Sequence, residues 1–156
     1  AMQDEPKRKP LRLPEFPYTQ AAYYFVTVCC KGKAPFFGRI VGNGLDRSAA
    51  VCLSRCGEIA DADLRALPQH FAGVQVLKYV IMPDHLHLIL ALDGQSASVP
   101  QILASYKSGV SRKCGRAVWQ KSYYDHVIRG RKDFEEIWQY IDNNPQKRWL
   151  QQHGEA

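Results

Sequence analysis

From residue 22 to residue 30 the chain reads Ala-Tyr-Tyr-Phe-Val-Thr-Val-Cys-Cys, a β-branched and aromatic run that predicts a buried strand. Gly32, Pro35 and Gly38 then predict a loop. Across residues 45–67, Leu45, Ala49, Cys52, Leu53, Cys56, Ile59, Ala60 and Leu64 recur close to every 3.6 residues, the pattern of one long amphipathic helix that Pro68 would end. Residues 74–82 and 86–92 are two further strand patterns, joined at Pro83-Asp84 by a link too short for anything except a hairpin. Residues 99–114 predict a helix, and 119–129 contain another strand. The last helix is predicted over 132–144, with Asp133 near its start and Pro145 limiting its end.

The order β-α-β-β-α-β-α predicts an α+β fold. A ferredoxin-like split βαβ arrangement satisfies short, right-handed connections: an antiparallel sheet of four to five strands with helices packed on one face and a C-terminal helix. The remaining sheet face would be free for a ligand. Residues 21–150 then form one domain, preceded by an extended arm (1–20) punctuated by Pro6, Pro10, Pro14 and Pro17, and followed by a short tail (151–156). Ala1-Met2 looks like a cloning remnant and is set aside.

Composition narrows the class. With 156 residues the chain suits a single core. No apolar run approaches the roughly 20 residues of a membrane helix and the start does not resemble a secretory signal, so a cytoplasmic protein is expected, nucleoid-associated in a prokaryote. Mean hydropathy is −0.35. Lys and Arg number 21 against 15 Asp and Glu, a net charge of +6. The excess clusters at Lys7, Arg8, Lys9 and Arg12 and between Lys107 and Arg148, which makes a polyanion a natural partner. Five cysteines, odd in number and without a Cys-x-x-Cys pair, read as reduced core residues. The alternative, a zinc site on Cys52 and Cys56 at helical spacing, lacks a nearby second pair.

Two places carry candidate chemistry. In Asp84-His85-Leu86-His87-Leu88, strand alternation points His85 and His87 to one face, where both imidazoles could reach one cation; two half-exposed histidines on a polar sheet face is the plainer alternative. On the last helix Tyr140 and Asn144 lie four residues apart on one face, bringing a hydroxyl and an amide to the same side. A phenolate is a workable nucleophile and leaving group, so a phosphotyrosine bond is reversible and suits strand transfer. Packing of Tyr140 beside Ile137 and Ile141 is the plain alternative, and Tyr106, Tyr123 and Tyr124 compete with it as nucleophiles. Spacing alone does not rank them, whereas Tyr18 and Tyr79 look flanking or structural.

Taken together, residues 79–87 (Tyr-Val-Ile-Met-Pro-Asp-His-Leu-His), Trp119-Gln120 with residues 123–129 (Tyr-Tyr-Asp-His-Val-Ile-Arg), and residues 140–145 (Tyr-Ile-Asp-Asn-Asn-Pro) resemble the REP-associated tyrosine transposases, relatives of the single-tyrosine HUH insertion-sequence transposases. The resemblance runs from about Tyr23 to Trp149. It implies that His85, His87 and Asn144 hold Mg²⁺ or Mn²⁺, and that Tyr140, on a catalytic C-terminal helix, attacks DNA. It also implies a single-stranded or hairpin substrate at REP-like palindromes, a 5′-phosphotyrosine intermediate with a free 3′-hydroxyl, and a monomer or homodimer. Asp84 stands where many such relatives would carry asparagine, and a carboxylate there could orient a ligand.

Expected DNA contacts are Lys7, Arg8, Lys9, Arg12, Lys107, Arg112, Lys113, Arg129, Arg131, Lys132, Lys147 and Arg148, with Tyr123, Tyr124 and Trp149 as candidate stacking residues. Two alternatives stand beside this function. A histidine-triad-like nucleotide hydrolase needs a third histidine where this chain has Ile89. A domesticated, catalytically silent hairpin-binding protein would have lost Tyr140 or a histidine, and none is lost.

Overall fold

The computed structural model describes residues 21–42, 49–95 and 97–152. In chain order its elements are β1 (Ala21–Cys29), β2 (Gly38–Gly42), β3 (Ala49–Leu53), α1 (Arg55–Arg65), α2 (Leu67–His70), β4 (Val74–Met82), β5 (His85–Asp93), α3 (Val99–Cys114), β6 (Tyr124–Val127) and α4 (Arg131–Gln152), with a tight turn at Lys31–Lys33 after β1. The main sheet has the order β4-β5-β1-β6, antiparallel throughout, while β2 and β3 form a separate hairpin. Leaving that hairpin aside, this is the split βαβ arrangement that the sequence predicts.

Strand alternation divides the side chains between two cores. Leu86, Leu88 and Leu90 of β5, with Tyr24, Val26 and Val28 of β1, meet Ala60 and Leu64 of α1 and Ile102, Leu103, Tyr106 and Val110 of α3. On the opposite face Phe25 and Ile89 pack with Ile128 and with Ile137 and Ile141 of α4. The face expected to be free is therefore partly covered by α4, because Ile137 and Ile141 give that helix an apolar stripe of their own.

β4 reaches both cores through a slip in register. Val76 pairs with Leu90 and Lys78 with Ile89, which leaves Leu77 as an extra residue. A bulge of this kind inverts the alternation beyond it. Val76 and then Tyr79 and Ile81 thus face α1 and α3, while Val80 faces α4. Lys78 also reaches α4, with its ammonium 2.7 Å from Asp142 Oδ1 and 4.7 Å from the Trp138 ring centroid.

Two expected elements are corrected. The single helix over 45–67 is instead strand β3 followed by α1, and Leu45 lies outside the described residues. Ala49, Val51 and Leu53 share one face with period two, a pattern that overlaps the helical one in so short a window. Ser54 ends the ambiguity: its Oγ accepts the Gly57 N–H at 3.0 Å and donates to the Phe36 carbonyl at 2.7 Å, capping α1 there. Gly57 is needed because a Cβ would lie 2.1 Å from the Phe37 carbonyl oxygen. Pro68 sits in the first turn of α2, where a proline is tolerated, instead of ending a helix.

Nor does Pro145 end the last helix, since α4 continues through it to Gln152. Proline withholds one backbone donor there. The turn beyond it is held from outside, by Arg148 Nη2 at 3.0 and 2.9 Å from the two Asp84 carboxylate oxygens. Among the described residues no helix is long and apolar enough to cross a membrane.

Candidate functional site

His85 and His87 open β5, opposite Cys29 and Thr27 of β1, and both lie on the α4 face of the sheet. Their Nε2 atoms are 3.2 Å apart. Each ring is fixed from its other nitrogen: His85 Nδ1 lies 2.7 Å from Asp84 Oδ1, and His87 Nδ1 lies 2.8 Å from the Thr27 hydroxyl. Phe25 stacks on His87 with ring centroids 5.5 Å apart.

Protonation follows from these partners. Burial opposes the charge of Asp84, but the hydrogen bond and charge of His85, followed by Arg148, hold its carboxyl below the usual range. An ionised carboxylate only accepts, so the proton of neutral His85 sits on Nδ1 and its Nε2 presents a lone pair. Burial lowers the pKa of His85, against the pull of Asp84, and brings that of His87 down to about 3, with the neighbouring His85 adding to the effect. Both imidazoles are thus neutral near pH 7, the form that coordinates metal.

The donor set fits a divalent cation. Two ligands at adjacent corners of an octahedron with bonds of about 2.2 Å stand about 3.1 Å apart, close to the observed 3.2 Å. When Thr27 accepts from His87 Nδ1, both Nε2 lone pairs face each other, an arrangement that a shared cation stabilises; when Thr27 donates, His87 gives its Nε2 proton to His85. Among the described residues no three His, Cys, Asp or Glu side chains converge, so a further ligand from those residues would be of another type. The zinc alternative falls here too, because Cys52 lies on β3 and Cys56 on α1.

The helix brings the other two residues to this place. The Tyr140 ring lies 5.2 Å from that of His87 and 6.2 Å from that of Phe25, edge-on to both. Its side of α4 faces a cleft of about 310 Å³ lined by Lys33, Asp84, His85, Tyr140, Asn144, Lys147, Arg148 and Gln151. Tyr140 is 37% exposed, and among the described residues nothing hydrogen-bonds its hydroxyl. The Asn144 amide nitrogen lies 3.3 Å from the Tyr140 carbonyl, so Asn144 sits in the cleft with its donor turned to its own helix.

The competing tyrosines separate clearly. Tyr106 is buried and donates to the Ala60 carbonyl at 2.8 Å, and Tyr123 packs in the α1/α3 core. Tyr124 is the nearest rival, since it pairs with Thr27 and its ring lies 6.2 Å from Phe25 on the same sheet face.

The basic residues expected to meet DNA do not form one surface. Lys147 and Arg148 border the cleft. Lys107 spends its ammonium on the Gln120 and Lys121 carbonyls at 2.9 and 3.2 Å, Lys113 pairs with Asp63 at 2.7 Å, and Arg112 borders a separate hollow; all three belong to α3, on the far side of the sheet. Arg131 and Lys132 lie in the first turn of α4, about 13 Å along the helix from Tyr140, and Arg129 precedes that helix. Lys7, Arg8, Lys9 and Arg12 lie outside the described residues, as does the side chain of Trp149.

Sequence reasoning missed Phe25, Thr27 and Lys33. The first two reach the histidines only through strand pairing across about sixty residues, which leaves no local signal. Lys33 follows Gly32 in a turn, and a non-glycine residue after glycine gives little hint of a left-handed backbone.

No family model matches the chain. An uncharacterized protein of Haemophilus influenzae is 30% identical, over 88% of this chain and 88% of that protein. The REP-associated tyrosine transposase of Escherichia coli is 29% identical over 80 residues, half of this chain and 48% of that protein. Among solved structures, a REP-associated tyrosine transposase bound to a REP hairpin aligns with TM-score 0.67 and 18% identity, over 88% of this chain and 74% of that one. A candidate transposase of Deinococcus radiodurans aligns with TM-score 0.50 and 17% identity, over 85% of this chain and 95% of that one. The chain belongs to one family with the Haemophilus influenzae protein and is related, in sequence and in fold, to the REP-associated tyrosine transposases.

Proposed function

We propose that this protein is a transposase-like enzyme that nicks and rejoins single-stranded DNA beside hairpins of the REP type, through a covalent bond to Tyr140. The observation that carries this is the meeting of two elements: the facing Nε2 atoms of His85 and His87 on the sheet, and the exposed Tyr140 ring 5.2 Å from His87 on the helix. Relatedness to hairpin-binding transposases supports the choice of substrate.

In the proposed step the Tyr140 oxygen bonds to the scissile phosphorus and the P–O3′ bond breaks. The phenol proton passes to solvent and the departing 3′-oxygen takes one up, leaving a 5′-phosphotyrosine and a free 3′-hydroxyl. Rejoining is the reverse, with a 3′-hydroxyl as attacker. His85, His87 and the Asn144 amide oxygen would hold Mg²⁺ or Mn²⁺, which when bound supplies Lewis-acid polarisation of the phosphate. Asp84 fixes the tautomer of His85, and Arg148 holds Asp84 in place. Phe25 keeps water from one side of His87, and the exposed edge of Tyr140 leaves its hydroxyl open to a DNA backbone.

The test is incubation with an oligonucleotide that folds into a hairpin with single-stranded flanks, in Mg²⁺ or Mn²⁺, followed by denaturing electrophoresis. A covalent protein–DNA band that EDTA abolishes is expected. Tight hairpin binding without any such band would instead make the protein a silent binder. Thr27→Val should raise the Mn²⁺ dissociation constant by about tenfold or more, because it removes the partner that orients His87. Titration calorimetry checks this, with an unchanged circular dichroism spectrum as the control for folding.

A further inference from the structure

The turn that leaves β1 places a lysine where glycine is the easier residue. Gly32 has φ 62° and Lys33 φ 57°, and the Ala34 N–H donates to the Lys31 carbonyl at 3.2 Å. This is a tight turn with both central residues left-handed, the form that ordinarily takes Asn-Gly. Lys33 is the one non-glycine residue with positive φ among the described residues. Its side chain is exposed and belongs to neither apolar core, so packing does not account for a side chain at this strained position.

The turn is also held rigidly against the site. Cys30 N–H donates to the Asp84 carbonyl at 2.9 Å, and Lys31 N–H to the Val118 carbonyl at 2.7 Å. Lys33 consequently lines the same cleft as Asp84, His85, Tyr140 and Asn144. The neighbouring carboxylate, Asp84, is already engaged by His85 and Arg148. Among the described residues no carboxylate pairs with Lys33.

We propose that Lys33 is a catalytic residue whose ammonium binds a non-bridging oxygen of the scissile phosphate, opposite the histidine pair. It would stabilise the charge that accumulates there as the tyrosine attacks. This rests on the reading of Tyr140 as nucleophile. The strained backbone is then the cost of aiming a cation from a rigid turn, and a solvated surface lysine would have no reason to bear it.

The experiment compares Lys33→Gly, Lys33→Ala and Lys33→Arg with the wild type, reading the single-turnover rate of adduct formation at saturating hairpin DNA and the thermal midpoint. Glycine relaxes the turn, so Lys33→Gly should melt at the same temperature as the wild type or higher while its rate falls at least tenfold. Lys33→Arg should retain more of the rate than Lys33→Gly. Wild-type rates in both the Gly and Ala variants would overturn the role of Lys33 and leave Tyr140 untouched. Absence of adduct in the wild type itself would overturn both.

Discussion

Tyr140→Phe should lose at least about a thousand-fold in strand cleavage, because it removes the nucleophile and leaves only what positioning and charge can do. The protein should otherwise be nearly unchanged. Among the described residues the hydroxyl has no hydrogen-bond partner to lose, and the ring, which supplies the edge contacts to Phe25 and His87, is retained. The expected change in stability is within about 0.5 kcal/mol, as for surface substitutions generally. Hairpin affinity should also hold. Cleavage on denaturing gels, thermal melting and electrophoretic mobility shift together check the three parts, and a drop in all three would mean that the substitution had disturbed the fold.

The second large effect is expected from the histidines, and it should differ between them in kind. His87→Ala removes a ring that is only 5% exposed, bonded to Thr27 and stacked on Phe25. It should cost about 1–3 kcal/mol of stability. His85→Ala leaves Asp84 still paired with Arg148, so its stability cost should be about 1 kcal/mol or less. Both should weaken Mn²⁺ binding and slow cleavage by at least about a hundred-fold, since each removes a proposed metal ligand. Calorimetric Mn²⁺ titration and urea unfolding separate the two contributions. Equal Mn²⁺ affinity in wild type and both variants would sink the metal site.

Much of this architecture is legible in the sequence because its signals are local. β5 alternates His-Leu-His-Leu, so the histidines' common face follows from period two alone, and Pro83-Asp84 admits only a hairpin. α3 keeps the bounds the sequence predicts, and the structure shows local caps at both ends: Ser98 caps its first turn and Gly115 takes the left-handed conformation at its end. Residues 45–67 misled because Ala49 and Leu53, four residues apart, fit the helical period as well as the period of two that they share with Val51, and only the Ser54 cap separates strand from helix. Pro145 misled because what holds the helix beyond it is the Arg148–Asp84 pair, 64 residues apart in sequence.

The site is legible to the same degree. His85, His87, Tyr140 and Asn144 were each nameable from short motifs, and the structure brings all four to one place. Phe25, Thr27 and Lys33 were not, because they reach the site only through the pairing of β1 with β5 and the turn that follows β1. The cations were the least legible part. A lysine in sequence shows its charge but not its partner, and Lys107 and Lys113 turn out to spend theirs on α3's own neighbours.

The central claim is that DNA becomes bonded to Tyr140, and the direct measurement is to trap the wild-type adduct, trim the DNA with nucleases, and locate the modified peptide by mass spectrometry. The modification is predicted on the peptide containing Tyr140, with fragment ions placing the phosphonucleotide on that residue. Its placement on Tyr124, whose ring also lies beside Phe25 on this face of the sheet, would contradict the account.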